Sequence, residues 1–207
     1  FFPPFLGWLN LRVNYRNHRK IVVVDGNTGF VGGFNIGREY ISRDPKFGYW
    51  RDTHLEIKGE AAISLQIRFA LDWNYVTGEN LFKEIRYFGE EAEYARRRLN
   101  GQIHAVWPDP DHVNEMVCMQ IITSGPDTRE PDIRNNYLEL FHKAKHHIYI
   151  QTPYFVPDDA IFSALKMAAL SGVDVRLMIP CKPDHPFVYR ATCSYAGELL
   201  DYGAKVY

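Results

Sequence analysis

The chain has 207 residues, of which 46% are hydrophobic, and its 24 Lys and Arg nearly balance 25 Asp and Glu to leave a formal net charge of -1. This hydrophobic content is sufficient for a buried core and excludes an intrinsically disordered chain. The near-neutral charge excludes the overall positive field that drives non-specific nucleic-acid binding, so we expect no nucleic-acid partner.

The first half of the chain has the pattern of short strands followed by one helix. Apolar residues alternate over 9–15, and the apolar run 21–24 leads into an Asp-Gly turn, which predicts two strands and a turn. Residues 30–33 are the predicted return strand of a hairpin, and a further strand is predicted over 53–57. Approximate helical spacing of apolar residues over 61–75 predicts a core-facing helix.

The second half alternates regularly between strands and helices. Charge-rich residues 78–113 predict a surface excursion and linker. Strands are predicted at 116–123, 147–152 and 173–179, and helices at 132–146, 158–171 and 188–202. Repeated strand-helix-strand units imply a parallel sheet with helices on both faces. Asp158 is the predicted N-cap of one helix, and Gly172 and Gly203 occupy positions typical of helix C-termini.

His18 and Lys20 are the first candidates for chemistry. They are two residues apart in a predicted extended segment, so both side chains leave the same face and can reach one ligand. A neutral imidazole is a competent nucleophile, and a neighbouring ammonium can hold a phosphate oxygen as negative charge develops. The pair therefore favours transfer chemistry at phosphorus.

Asn35 follows the glycine pair Gly32 and Gly33 and offers an amide donor to the same phosphate oxygens. The two glycines allow the backbone to approach a ligand or a bulky neighbour closely. Asp25 is an odd number of residues from Lys20 and therefore points to the other face. We expect Asp25 to have a structural role, as a turn former or a buried ion partner.

Together these residues form the pattern H-x-K-x4-D-x6-G-G-x-N, running from His18 to Asn35. A chance match at six fixed positions has a probability on the order of 10⁻⁸ per starting residue. The pattern resembles the HKD motif of the phospholipase D superfamily without departure at any fixed position. The resemblance implies that His18 attacks a phosphodiester to form a phosphohistidine, or is the acid/base partner of a second such histidine. It also implies that Lys20 and Asn35 bind phosphate and that no metal or other cofactor is needed.

Asp52 is a further candidate that the resemblance supplies. Members of the superfamily place an acidic residue on a later strand to orient the histidine ring, and Asp52 matches that position. A carboxylate there would fix the tautomer and stabilise the charged imidazole. The alternative is that Asp52 is an ordinary surface residue.

Longer stretches resemble the bacterial cardiolipin synthases over nearly the whole chain, notably residues 29–37, 49–54, 150–158 and 183–186. These enzymes join two phosphatidylglycerols and release glycerol. The resemblance implies phosphatidylglycerol and other anionic phospholipids as substrates and a membrane surface as partner. It also implies a phospholipase D-like mixed α/β fold of two partial repeats flanked by helices. Residues 1–115 would be the C-terminal half of the first HKD repeat plus a linker, and residues 116–207 the N-terminal half of the second.

The chain departs from the family in one respect, because no second H-x-K-x4-D pattern occurs in it. It also lacks the N-terminal membrane spans of full-length members and ends within a predicted strand. We therefore expect an internal piece of a longer protein of the cell membrane, soluble and inactive by itself, and the sequence does not indicate its oligomeric state. Two alternatives stay open: another HKD phosphodiesterase (a phospholipase D or a nuclease), or a non-catalytic truncated HKD module.

Residues outside the motif carry weaker signals. Tyr154 and His185 lie near the carboxyl ends of predicted strands, where the sites of parallel sheets gather, so both are candidates for lining the site. The cysteines Cys118, Cys181 and Cys193 lack CxxC spacing, which argues against a disulfide framework or a zinc site and predicts buried or idle thiols.

Overall fold

A computed structural model of the protein describes residues 17–84, 87–88, 117, 119–125, 128–182 and 184–207. The chain divides into two compact units, Phe1–Ile121 and Ile122–Tyr207. Within the described residues each unit contains one three-stranded sheet with helices, which confirms the predicted mixed α/β class. The assignment of residues 1–115 and 116–207 to two partial HKD repeats stays a prediction. The strand predicted over 9–15 and most of the predicted linker lie outside the described residues.

The first unit contains an antiparallel sheet in the order β1-β2-β3 and one long helix. The elements are β1 (Ile21–Val24), β2 (Thr28–Gly32), β3 (His54–Lys58), α1 (Glu60–Thr77) and a 3-10 turn (Leu81–Lys83). The strands and the helix predicted in this region are confirmed to within about three residues, the usual uncertainty of element boundaries.

The turn between β1 and β2 depends on the Asp-Gly pair. Asp25 has a φ of 53° and Gly26 a φ of 73°, both in the left-handed region that Asp and Gly tolerate best. Asp25 is exposed, so of its two predicted roles the structure shows turn former and not buried ion partner.

Helix α1 packs on the sheet through a close approach at Gly29. A Cβ atom placed on Gly29 would lie 2.7 Å from Leu65 Cδ1 and 3.5 Å from Ala62 Cβ. Leu65 and Ala62 are almost completely buried, as is Ile57 of β3. The absence of a side chain at Gly29 therefore lets the apolar face of α1 contact the strand that leads to Gly32.

The second unit contains a parallel sheet in the order β4-β5-β6. Its elements are α2 (Asp132–Lys143), β4 (His147–Gln151), α3 (Asp159–Leu170), β5 (Asp174–Met178), α4 (Pro186–Leu200) and β6 (Lys205–Val206). Every predicted element after residue 131 is confirmed to within about three residues. The strand predicted over 116–123 is wrong, since residues 117 and 119–123 form no strand.

The predicted helix boundaries in the second unit follow from local chemistry. The Asp158 side chain accepts a hydrogen bond of 2.9 Å from the Ile161 N–H, so the predicted N-cap is confirmed. Gly172 and Gly203 have φ angles of 90° and 92°. Both glycines therefore end helices in the left-handed conformation, as predicted.

The described helices cover only one face of the β4-β5-β6 sheet. Val175 and Leu177 are completely buried beneath them, whereas Tyr149 on the opposite face is 58% exposed. On that exposed face Asp174 accepts hydrogen bonds from Arg176 and Lys205, which hold the pKa of the Asp174 carboxyl far below its usual range. The expected cover on both faces is wrong for the described residues. The strand order follows the chain order, so right-handed crossovers place consecutive helices on the same side.

Membrane-spanning helices and the state of the thiols were two further features considered from the sequence. No helix in the described part of the chain combines the length and apolarity needed to cross a bilayer. Cys181 and Cys193 are free and exposed, so they are not buried thiols, and Cys118 lies outside the described residues.

Candidate active site

His18 and Lys20 are in direct contact immediately before β1. The Lys20 Nζ atom lies 2.8 Å from His18 Nδ1 and 2.8 Å from the His18 carbonyl oxygen. Residues 17–20 precede the strand and do not belong to it, but the two side chains share one side as predicted. The His18 side chain is exposed and Lys20 is half-buried, so an imidazole and an ammonium are both available to one ligand.

The segment that carries His18 is anchored to helix α1 by Asp72. The Asp72 carboxylate accepts hydrogen bonds of 2.8 Å from Asn17 Nδ2 and 3.0 Å from Arg19 Nη1, the residues on either side of His18. Arg68, one helical turn earlier in α1, donates to the same carboxylate at 3.2 Å. Partial burial raises the pKa of the Asp72 carboxyl, but the hydrogen bonds from Arg68 and Asn17 outweigh it and the net pKa is lowered.

Sequence reasoning missed Asp72. The signal available was the i, i+4 spacing of Arg68 and Asp72 on a predicted helix, which occurs on many solvated helix faces. Its contact with the motif joins residues 55 positions apart in the chain. That contact depends on how α1 packs against the hairpin.

An aromatic cluster positions Asn35 in the loop between β2 and β3. The Asn35 side-chain amide donates a hydrogen bond of 2.7 Å to the Tyr40 hydroxyl. The Tyr40 ring contacts Trp50 and Phe34 at centroid distances of 5.0 and 5.9 Å, and Phe47 contacts Trp50 at 5.7 Å. These edge-to-face and tilted contacts hold the Tyr40 ring in place, and its hydroxyl accepts one N–H of the Asn35 amide. The second N–H of that amide is a donor for a ligand.

The glycine pair of the motif permits a close approach of β3. A Cβ atom on Gly32 would lie 2.5 Å from the Thr53 carbonyl oxygen, and one on Gly33 would lie 2.6 Å from Asp52 Oδ1. Gly32 and Gly33 were predicted to allow a close approach, and the segment that approaches them is the one that carries Asp52. A side chain at Gly32 would contact backbone atoms, which cannot move aside as a flexible side chain can.

Asp52 lies near Lys20 but makes no hydrogen bond to His18, both residues being within the described part of the chain. Its carboxylate accepts a hydrogen bond of 2.7 Å from the Thr53 N–H. Burial lowers the pKa of Lys20, and the negative charge of Asp52 partly opposes this effect. The hydrogen bond between Asp52 and the His18 ring that the resemblance implies is therefore absent from this structure, and the Asp52 charge acts on the pKa of Lys20 instead.

The two candidates outside the motif, Tyr154 and His185, contact each other in the second unit. The Tyr154 hydroxyl lies 3.2 Å from His185 Nδ1 and donates a hydrogen bond to the Asp184 carboxylate. His185 Nδ1 lies 3.1 Å from Asp184 Oδ2. Sequence reasoning named the first two residues singly and did not assign a role to Asp184.

Comparison with known proteins gives a consistent set of similarities. A family model described as "Cardiolipin synthase, PLD-like domain" matches residues 137–207. The whole chain is 48% identical to a cardiolipin synthase of Listeria innocua, 48% identical to the major cardiolipin synthase ClsA of Bacillus subtilis and 50% identical to cardiolipin synthase 2 of Staphylococcus epidermidis. The chain spans 39%, 39% and 38% of the lengths of these three relatives.

Proposed function

Because the chain belongs to the cardiolipin synthase family of phospholipase D-like proteins, we propose that it carries one half of a phosphatidyltransferase site that joins two phosphatidylglycerols and releases glycerol. The observation that supports this proposal most directly is the contact between Lys20 Nζ and the exposed His18 imidazole. An imidazole beside a fixed ammonium suits attack on a phosphodiester, because the cation can hold an oxygen on which charge develops.

The proposed reaction has two steps. A ring nitrogen of His18 forms a bond to phosphorus, the bond from phosphorus to the glycerol oxygen breaks, and a proton is delivered to the departing glycerol. The hydroxyl of a second phosphatidylglycerol then gives up a proton and attacks the phosphohistidine, which regenerates His18. Lys20 and the second N–H of Asn35 hold the non-bridging oxygens in both steps.

The proton carrier in this scheme is a second histidine outside the present chain. His18 cannot be bonded to phosphorus and protonate the leaving glycerol at the same time. Loss of a positioned general acid costs roughly 10²–10⁴-fold in rate. We therefore propose that the chain by itself has no significant turnover.

Asp52 has two possible roles in this scheme, and one substitution distinguishes them. If its carboxylate moves to the His18 ring during the reaction, Asp52→Asn in the full-length protein should lower the rate steeply without a matching loss of stability. The measurement is cardiolipin formation beside melting temperature, with Asp201→Asn at an exposed position as the control. An unchanged rate would show that Asp52 does not assist the histidine.

The pH dependence of the same variant reports on Lys20. The negative charge of Asp52 raises the pKa of Lys20, so its removal should lower that pKa further. Activity that depends on the Lys20 ammonium is lost as pH rises through its pKa, so the alkaline fall in rate should move to lower pH. An alkaline limb that does not move would contradict this coupling.

The loop between β2 and β3 supports the proposed contact with an anionic membrane surface. Ile36 is fully exposed, Tyr49 is 85% exposed and Ile41 is 49% exposed. The same loop carries four exposed basic residues, Arg38, Arg43, Lys46 and Arg51. Exposed apolar side chains interspersed with basic ones are typical of segments that bind anionic lipid interfaces.

Replacing Ile36 and Tyr49 together by Ser should weaken binding of this chain to phosphatidylglycerol vesicles at least tenfold. Each side chain contributes roughly 1.5–3 kcal/mol when transferred from water to an apolar environment. Sedimentation with vesicles measures the binding, with phosphatidylcholine vesicles as the uncharged comparison. Met167→Ser with Leu170→Ser, two apolar side chains of α3 that are also mostly exposed, is the control. Equal loss in both double variants would exclude the loop as a specific contact.

A further inference from the structure

A hydrogen-bonded cluster lies at the carboxyl ends of β4 and β5 in the second unit. Tyr154 follows β4, and Asp184 and His185 lie between β5 and the first residue of α4. One Asp184 oxygen receives the Tyr154 hydroxyl and lies 3.1 Å from His185 Nδ1, and the Tyr154 and His185 rings meet edge to face at 5.9 Å. Ligands of parallel α/β sheets bind at this end of the strands, and the reaction scheme above uses none of these three residues.

The Tyr154 side of the cluster is held by a buried hydrogen bond. The Phe155 N–H, next to Tyr154, donates a hydrogen bond of 3.0 Å to Thr192 Oγ1 of helix α4. Phe155 is 5% exposed and Thr192 is completely buried. The segment after β4 is therefore fixed to the helix that begins beside His185, so the three polar groups are positioned before any ligand arrives.

The outward-facing part of the cluster is His185. Its side chain is 67% exposed, and no described residue makes a hydrogen bond to its Nε2 atom. A carboxylate beside Nδ1 favours the tautomer with the proton on Nδ1, so Nε2 is a hydrogen-bond acceptor in the neutral ring. The Tyr154 hydroxyl oxygen, 3.2 Å from Nδ1, is a second acceptor in the cluster.

The charge of the cluster indicates the class of ligand. Partial burial raises the pKa of Asp184, but the hydrogen bonds from Tyr154 and His185 outweigh that effect and lower it. The carboxylate is therefore ionised at neutral pH and disfavours a phosphate at the same position. Hydroxyl groups, in contrast, can donate to Nε2 of His185 and to the Tyr154 oxygen without any charge repulsion.

We infer that Tyr154, Asp184 and His185 form a binding site for the hydroxyl groups of a polyol headgroup, with His185 Nε2 accepting a hydrogen bond from one hydroxyl. The inference rests on the proposed function, in which a glycerol headgroup supplies the hydroxyl that attacks the phosphohistidine.

The test is a titration of the purified chain followed by the NMR signals of the His185 imidazole. The probes are glycerophosphoglycerol, which is the deacylated headgroup, glycerol alone and inorganic phosphate. Saturable shifts are expected with the first two probes and not with phosphate. Asp184→Asn should weaken the binding of glycerophosphoglycerol at least fivefold in this titration, and His185→Ala should do so when the binding is measured by calorimetry. His147→Ala, at another exposed histidine, should leave it unchanged.

Two outcomes would overturn the inference. Equal shifts with inorganic phosphate would show an anion site, and no saturable shift with either polyol would show that the cluster has only a structural role. His18→Ala separates the inference from the proposed function, since in this variant the His185 signals should shift with glycerophosphoglycerol as in the unchanged chain. If the full-length protein forms cardiolipin but its His185 signals do not respond to the polyol probes, only the polyol site is contradicted.

Discussion

Replacing His18 by Ala in the full-length protein is expected to abolish phosphatidyl transfer and leave the fold intact. The His18 side chain is exposed, lies before β1 and contacts only Lys20 among the hydrogen-bonding groups described, so its removal creates no cavity in the core. The reaction, however, loses its nucleophile or its proton carrier. A loss of about 10⁴-fold or more is expected for a group that forms the covalent intermediate.

The His18 prediction is measured by cardiolipin formation from phosphatidylglycerol, separated by thin-layer chromatography, with melting temperature as the test of fold. His18→Asn is a second variant that keeps a polar side chain of similar reach without a titratable ring. His142→Ala, at an exposed histidine near the end of α2, is the matched control and should retain full activity. Wild-type output from a folded His18 variant would exclude the phosphohistidine mechanism.

The local part of the site could be predicted from the sequence because its spacing is local. His18 and Lys20 lie immediately before one hairpin, and Gly32, Gly33 and Asn35 lie at its end or in the loop that follows it, so a strand-turn-strand prediction brings them together. Asp72 could not be predicted as their anchor, because its contact with Asn17 depends on the packing of α1 across the hairpin. The orientation of a helix on a sheet is set by tertiary packing, which the apolar pattern of either element alone does not determine.

The elements of the second unit could be predicted because their apolar residues are regularly spaced and their ends are marked by capping residues. Asp158, Gly172 and Gly203 mark helix boundaries through groups within a few residues of one another. The strand expected at 116–123 failed for the opposite reason, since an apolar run becomes a strand only when a partner strand satisfies its backbone groups. Asp184 joins Tyr154 to His185 by accepting a hydrogen bond from Tyr154, 30 residues earlier in the chain. This contact could not be predicted, because it depends on which strands of the sheet are neighbours.

Lys20→Ala should lower the rate of phosphatidyl transfer at least about a hundredfold in the full-length protein, the loss expected when one preorganised donor to a developing oxyanion is removed. In the structure the Lys20 ammonium lies 2.8 Å from His18 Nδ1. From this position the ammonium can also reach an oxygen of a phosphoryl group bonded to the His18 ring. The side chain is half-buried, so its removal also deletes packing of the methylene groups, and stability must be measured beside the rate.

The matched variants for Lys20 separate charge from geometry. Lys20→Arg keeps the positive charge but replaces a compact ammonium by a planar guanidinium, so partial activity is expected because the new group fits the space beside His18 poorly. Lys58→Ala, at an exposed lysine of β3, should have wild-type activity. If Lys20 acts on the transition state, kcat should fall with kcat/KM by a similar factor. A rise in KM alone would instead make Lys20 a binder of the ground-state phosphate, and the stabilisation of charge at phosphorus would then have to come from Asn35 and from groups outside this chain.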